Sequence, residues 1–145
     1  GGKGLSSDGN TVIGSVTGSP SITITNTGTQ FLVSGTAGSA TADYTSAKCI
    51  KTDGNLTINN GTLVLSVANQ NSTVIDCDSA LLMTGGILGC TVGGNQSKGI
   101  KATGNITLSG GTATVNSTGG VVLETSGSGF DPSYCAGLKS DTTVN

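Results

Sequence analysis

The chain has 145 residues, with 25 Gly, 2 Pro, no Trp and no His, and six basic against eight acidic residues give a formal net charge of -2. All six basic residues are Lys, so the Arg-bearing basic surface that nucleic acid demands is missing, no apolar run reaches the length of a membrane span, and without His there is no Ser-His or Cys-His nucleophile system and no HExxH zinc site. Low charge, many Gly, Thr, Ser and Asn, and a supply of Val, Ile and Leu in place of aromatics fit stacked strands joined by tight turns better than a disordered chain.

Taken from the amino end, the first patterned segment is Leu5-Ser6-Ser7-Asp8-Gly9-Asn10. From Leu5 to the strong copy at Ile50 is 45 residues, room for a degenerate rung around Ser21 to Val33. Ile50-Lys51-Thr52-Asp53-Gly54-Asn55-Leu56-Thr57-Ile58 then recurs after 25 residues at Ile75 and after another 25 at Ile100. From Ile100 to the last copy, Leu138-Lys139-Ser140-Asp141, is 38 residues, which predicts an insertion near Ser117 to Tyr134.

The copies align in apolar columns: Leu5, Ile50, Ile75, Ile100 and Leu138; Leu56, Leu81 and Ile106; Ile58, Met83 and Leu108; Leu63, Leu88 and Ala113; Leu65, Cys90 and Val115. Within a copy, apolar and polar residues alternate with the period of a half-buried strand. A fixed repeat of this length marks a stacked architecture, in which no single unit buries its apolar face alone. The sequence therefore predicts an all-β fold, a right-handed single-stranded parallel β-helix (a solenoid) with rungs of about 25 residues stacked about 4.8 Å apart. An antiparallel sandwich explains the alternation but not the repeated register. Residues 1–145 read as one domain that begins inside one repeat and stops inside another, either a fragment of a longer solenoid or a unit that stacks end to end through uncapped rungs.

The register also sorts the charges. Lys3, Lys48 and Lys98 share one column, Lys51, Lys101 and Lys139 another with Asp76 between two of them, and Asp8, Asp53, Asp78 and Asp141 a third, interrupted by Thr103. One reading is a solvated edge on which charges offset one another, with Asp serving as a turn former before Gly. The other is a binding strip: carboxylates on adjacent rungs bracketing a hard cation such as Ca²⁺, beside ammonium groups that attract an acidic polysaccharide. Tyr44 and Tyr134, in segments leading into the lysine strand, stack on a sugar or plug a loop. Lys48, Lys51, Lys98, Lys101, Lys139, Tyr44 and Tyr134 are thus the candidate ligand-binding residues.

The remaining features point to structure. Cys90 falls in an apolar column and Cys77 in a column of small residues, while Cys49 and Cys135 lie about three rungs apart, beyond disulfide reach; all four are expected to be free thiols. Asn55, Asn60, Asn71, Asn95, Asn105 and Asn116 each open an N-x-[ST] pattern because the turn recurs. Asp76 and Asp78 are the only close acidic pair, both explained by their columns, and no cleft-forming loops are evident, so no enzyme is expected.

The copies read as G-K-G-[IL]-x-[ST]-D-G-N followed by [LI]-T-[IL]-x-G-G-T. Gly2-Lys3-Gly4-Leu5, Ser97-Lys98-Gly99-Ile100-Lys101-Ala102-Thr103-Gly104-Asn105-Ile106-Thr107 and Tyr134-Cys135-Ala136-Gly137-Leu138-Lys139 resemble the bacterial extracellular carbohydrate-binding β-helix family, whose fold is similar to that of pectate lyases. The resemblance covers most of the chain and is strongest over 47–115. It implies a secreted or surface-attached protein, Ca²⁺ held by turn aspartates at the positions of Asp8, Asp53, Asp78 and Asp141, and binding to plant polysaccharide, acidic ones above all. Three functions follow in descending order: a non-catalytic module binding acidic polysaccharide, a self-assembling extracellular filament or adhesin stalk, and a polysaccharide lyase.

Overall fold

Short runs of alternating aliphatic and polar residues, punctuated by Gly and Asn, build strands too small to stand alone, and each pairs with its counterpart one repeat away. The computed structural model describes all 145 residues and contains no helix. The first circuit consists of β1 (Lys3–Ser7), β2 (Thr11–Ile13) and β3 (Ser21–Asn26), followed by β4 (Phe31–Ser34) and β5 (Asp43–Thr45). Three further circuits are β6 (Lys48–Thr52), β7 (Leu56–Ile58) and β8 (Thr62–Val67); β9 (Thr73–Cys77), β10 (Leu81–Met83) and β11 (Ile87–Val92); and β12 (Lys98–Ala102), β13 (Ile106–Leu108) and β14 (Thr112–Ser117). The chain then forms β15 (Val122–Ser126) and β16 (Gly129–Ser133) and ends with β17 (Ala136–Ser140).

Equivalent strands pair in parallel and make three sheets, β1-β6-β9-β12-β17, β2-β7-β10-β13 and β3-β8-β11-β14. The register is the one the repeat predicts: Ile50 pairs with Ile75 and Ile75 with Ile100, Leu56 with Leu81 and Leu81 with Ile106, Leu63 with Leu88 and Leu88 with Ala113. The parallel pairing sets aside the antiparallel sandwich. Nineteen buried residues form one core, in which Ile50, Ile75, Ile100, Leu56, Leu81, Ile106, Leu63, Leu88 and Met83 have no exposed surface to speak of. Each such side chain contributes about 1.5–3 kcal/mol by leaving water, and only the neighbouring circuits supply the cover.

The turns explain why Gly and Asn recur. Gly61, Gly86 and Gly111 lie one above another with φ of 110°, 86° and 80°, a region that L side chains avoid, and a Cβ on Gly86 would come within 2.7 Å of the Gly61 carbonyl oxygen. At another corner, Asn10 Oδ1 accepts the Asn55 N–H at 2.8 Å and Asn55 Oδ1 accepts the Ala80 N–H at 3.1 Å. Asn95 Oδ1 accepts Gly120 N–H at 2.8 Å in the same way. These amides tie circuit to circuit.

One expectation is corrected. There is no degenerate rung between Leu5 and Ile50: Leu5 pairs directly with Ile50, and Ser21–Asn26 belongs to the first circuit, with Ile22 opposite Leu63 and Ile24 opposite Leu65. The surplus residues lengthen the β2–β3 turn and form an antiparallel hairpin, β4–β5. Phe31-Leu32-Val33 has the composition of a rung strand, so local pattern could not separate the two. The expected insertion near Ser117 to Tyr134 is likewise an antiparallel hairpin, β15–β16. All four cysteines are free thiols, with Cys49, Cys77 and Cys90 buried. Burial pushes the Cys90 thiol up to about 12 and raises that of Cys49.

Candidate functional site

Both hairpins leave the chain where it passes from the third sheet to the first, one between β3 and β6, the other between β14 and β17. Circuits stacked in register place these two departures at one corner, with two plain circuits between them. The hairpin tips meet: the Ala40 N–H donates to the Thr125 carbonyl and the Thr125 N–H to the Gly38 carbonyl, each at 2.9 Å. Tyr44 is fixed within its own hairpin, its hydroxyl oxygen accepting the Gly38 N–H at 3.1 Å.

Beneath this arch lies a cleft of about 330 Å³. Tyr44 and Ser46 border it at the base of the first hairpin and Ser133 at the base of the second. Its floor is the first sheet, from which Lys48, Thr73, Asp76, Lys98, Lys101 and Lys139 line the space. Every residue of β9 is buried, because Val74, Ile75 and Cys77 meet the core while Thr73 and Asp76 lie under the cleft. The expectation that no loops form a cleft is therefore overturned. The two hairpins are far apart in sequence and each reads as a surface excursion; only the stacking brings them face to face.

The cleft carries four ammonium groups and one carboxylate. Asp76 Oδ2 is 3.3 Å from Lys48 Nζ and Asp76 Oδ1 is 3.6 Å from Lys101 Nζ. Lys48 also donates to Ser46 Oγ at 3.2 Å. Lys98 Nζ donates to the carbonyls of Gln96 and Tyr134. Burial pushes the Lys98 ammonium below the ordinary lysine range; Lys139 and Lys101 push the same way, while Cys135 and Glu124 oppose them. Such a concentration of positive charge attracts anions, and the partly desolvated setting strengthens the attraction relative to open water.

Two wall residues were not foreseen. Asn71 and Gln96, one repeat apart at the hairpin corner, have φ of 56° and 63° and line the cleft. Gln96 Nε2 donates to Glu124 Oε1 at 2.6 Å, tying the second hairpin to the wall. A left-handed Gln is uncommon and marks a position that its surroundings over-determine. The 25-residue alignment of Asn71 with Gln96 was a visible signal, but nothing in it showed that the corner was a wall.

Of the residues singled out from sequence, Tyr44, Lys48, Lys98, Lys101 and Lys139 come together. Tyr134 does not line the cleft; it is 62% exposed and borders an adjoining, more apolar hollow with Pro132, Ala136 and Leu138 that shares Lys98 and Lys139 with the cleft. Lys51 lies outside the cleft and is nearly buried, its Nζ bridging Asp53 Oδ1 and Asp78 Oδ2 at 2.6 Å each. Burial works against its charge, but the bonds to Asp53 and Asp78 outweigh that and hold the ammonium above the ordinary lysine range. The same bond holds the Asp53 carboxyl below the usual carboxylate range.

The aspartate column does not suit Ca²⁺. That ion takes six to eight oxygen ligands, yet Lys51 already fills the space between Asp53 and Asp78, Asp141 pairs with Lys139 at 3.1 Å, and Asp8 stands exposed at the first circuit. No cluster of three acidic, Cys or His side chains is present. Asp53, Asp78 and Asp141 are partners of the lysine columns, a pairing that the interleaved register favours.

The chain matches no family model, no curated protein and no solved structure.

Proposed function

We propose that this chain is a non-catalytic, extracellular carbohydrate-binding module, built as a right-handed parallel β-helix, that takes acidic polysaccharide into the lysine cleft. The observation that carries this reading is the convergence of Lys48, Lys98, Lys101 and Lys139, with Tyr44 at the border, in one arched cleft. The three parallel sheets with a common 25-residue register support the β-helix, and the resemblance of the repeat motif to carbohydrate-binding β-helix proteins supports the ligand class and the secreted or cell-surface location. A binding role rather than a catalytic one is favoured by the absence of His and by a single cleft carboxylate already paired with lysines.

Calorimetric titration with polygalacturonate tests this. Replacing Lys98 and Lys101 together by Ala is expected to weaken binding at least about tenfold, the loss of two charge-assisted contacts, and a neutral polymer should not bind comparably. Equal affinity of native and doubly substituted protein would refute the assignment to this cleft. Release of unsaturated products absorbing in the ultraviolet would replace the module by a lyase. A second reading, an end-to-end filament, draws on one observation: β1 and β17 each pair on one side only, leaving backbone groups open to a further strand. Concentration-dependent growth in sedimentation velocity would support it.

A further inference from the structure

Asp76 is the only carboxylate in the cleft, and it sits on the floor rather than the rim. Its side chain is 8% exposed. In register it stands between Lys51 and Lys101, interrupting what would otherwise be an unbroken file of ammonium groups with Lys139. Its Oδ2 is paired with Lys48, but its buried Oδ1 accepts no hydrogen bond and lies 3.6 Å from Lys101 Nζ. A buried carboxylate oxygen left without a hydrogen bond is unfavourable, so this atom is an acceptor awaiting a donor.

Two consequences follow. Lys48 and Lys101 already share Asp76 as a counter-ion and Lys139 pairs with Asp141, so a bare anion gains little at these lysines, because it must compete with those carboxylates. A ligand that brings a hydroxyl as well as an acid group gains on both counts. Its acid group draws Lys101, whose side chain is 40% exposed, and its hydroxyl offers Oδ1 the hydrogen bond that Lys101 does not make. Lys98 and Lys139 lie on the paired strands β12 and β17 and both line the cleft, where they can share the acid group.

We infer that Asp76 is a specificity-determining residue, making the cleft select polyhydroxylated acids, the chemistry of a uronate, over bare anions and neutral sugars: Lys98, Lys101 and Lys139 take the acid group, and Asp76 Oδ1 accepts a hydroxyl hydrogen. The inference rests on the acidic-ligand reading and adds the discriminating atom. The hairpin bases bound the cleft across about three strand spacings, roughly 14 Å, so it holds a short unit rather than a long stretch of chain. A free hydroxy acid and one residue of an acidic polymer present the same chemistry, and comparing monomer with oligomer separates these sources.

The test is an NMR titration of the native chain with galacturonate, galactose and acetate, repeated on Asp76→Asn and Lys101→Gln. The native chain should bind galacturonate about tenfold or more tighter than either control, as expected for one additional charge-assisted hydrogen bond. In Asp76→Asn, acetate should tighten while galacturonate weakens, so that the preference collapses. In Lys101→Gln, which keeps Asp76 but removes the ammonium group beside Oδ1, preference should move towards galactose. The role of Asp76 is overturned if native protein binds acetate as well as galacturonate, or if Asp76→Asn shifts both ligands by the same factor in the same direction. Should Asp76→Asn fail to fold, an unchanged preference in Lys101→Gln overturns it equally. Polygalacturonate binding without monomer preference would leave the module reading standing and remove this inference; no polygalacturonate binding would remove both.

Discussion

The central circuits and the two hairpins are made of similar residues but end in opposite environments. In β9 every position is buried, whereas Phe31 in β4, Leu123 in β15 and Phe130 in β16 are 68%, 59% and 67% exposed. Strand content is comparable; what differs is the cover. A central strand has a like strand on each side, while a hairpin has only its own partner strand, and an isolated two-stranded hairpin is marginal in water. Stacking therefore holds the molecule together, and the hairpins, free of that duty, shape the cleft.

The largest expected effect breaks this comparison on the circuit side. Ile75→Ala should cost about 2–5 kcal/mol in urea denaturation, whereas Leu123→Ala should stay within about 0.5 kcal/mol; equal losses would mean that the hairpin shares the core. Next, Gly86→Ala should cost about 1–3 kcal/mol, because it forces a non-glycine residue to φ of 86° against the Gly61 carbonyl. A smaller effect sharpens the hairpin side: Ala40→Pro removes one of the two backbone bonds joining the tips, for about 0.5–1.5 kcal/mol, and should lower polygalacturonate affinity more visibly than stability. A tip that contributes nothing to the cleft would leave affinity unchanged.

The smallest effect is a pH dependence. The Lys98 ammonium lies below the ordinary lysine range, so its charge is lost first as pH rises, and anion affinity should begin to fall before an ordinary lysine would titrate. Lys98→Arg should carry that decline to higher pH, because guanidinium does not titrate there. The effect on folding has the opposite sign: a lysine whose pKa is lowered in the folded state opposes folding while protonated, so its contribution improves as pH climbs through the lowered value.

The circuits were legible because stacking imposes a fixed period on side chains that must touch, so Ile50, Ile75 and Ile100 align without any knowledge of the third dimension. The lysine columns were legible for the same reason. The cleft was not, since its walls are excursions with no period, and the meeting of Ala40 with Thr125 depends on where the corners stack rather than on either segment. The aspartate column was legible as a column, but its partners were not: the reach of Lys51 decides that Asp53 and Asp78 face an ammonium group. Tyr44 and Tyr134 looked alike in sequence because each precedes a lysine strand, and they separate only because one lies within a hairpin and the other beyond it.

Cross-linking tests the stacked register most directly. Leu82 and Thr107 are paired on adjacent circuits, and Leu82 is partly exposed at 37%. Leu82→Cys with Thr107→Cys places two thiols on adjacent strands about 4.8 Å apart, and mild oxidation of the dilute monomer should close that bond, read by peptide mass mapping. Thr57→Cys with Thr107→Cys, two circuits apart, should not close. Closure of the second pair, or of neither, would contradict the 25-residue stack on which both the cleft and its ligand depend.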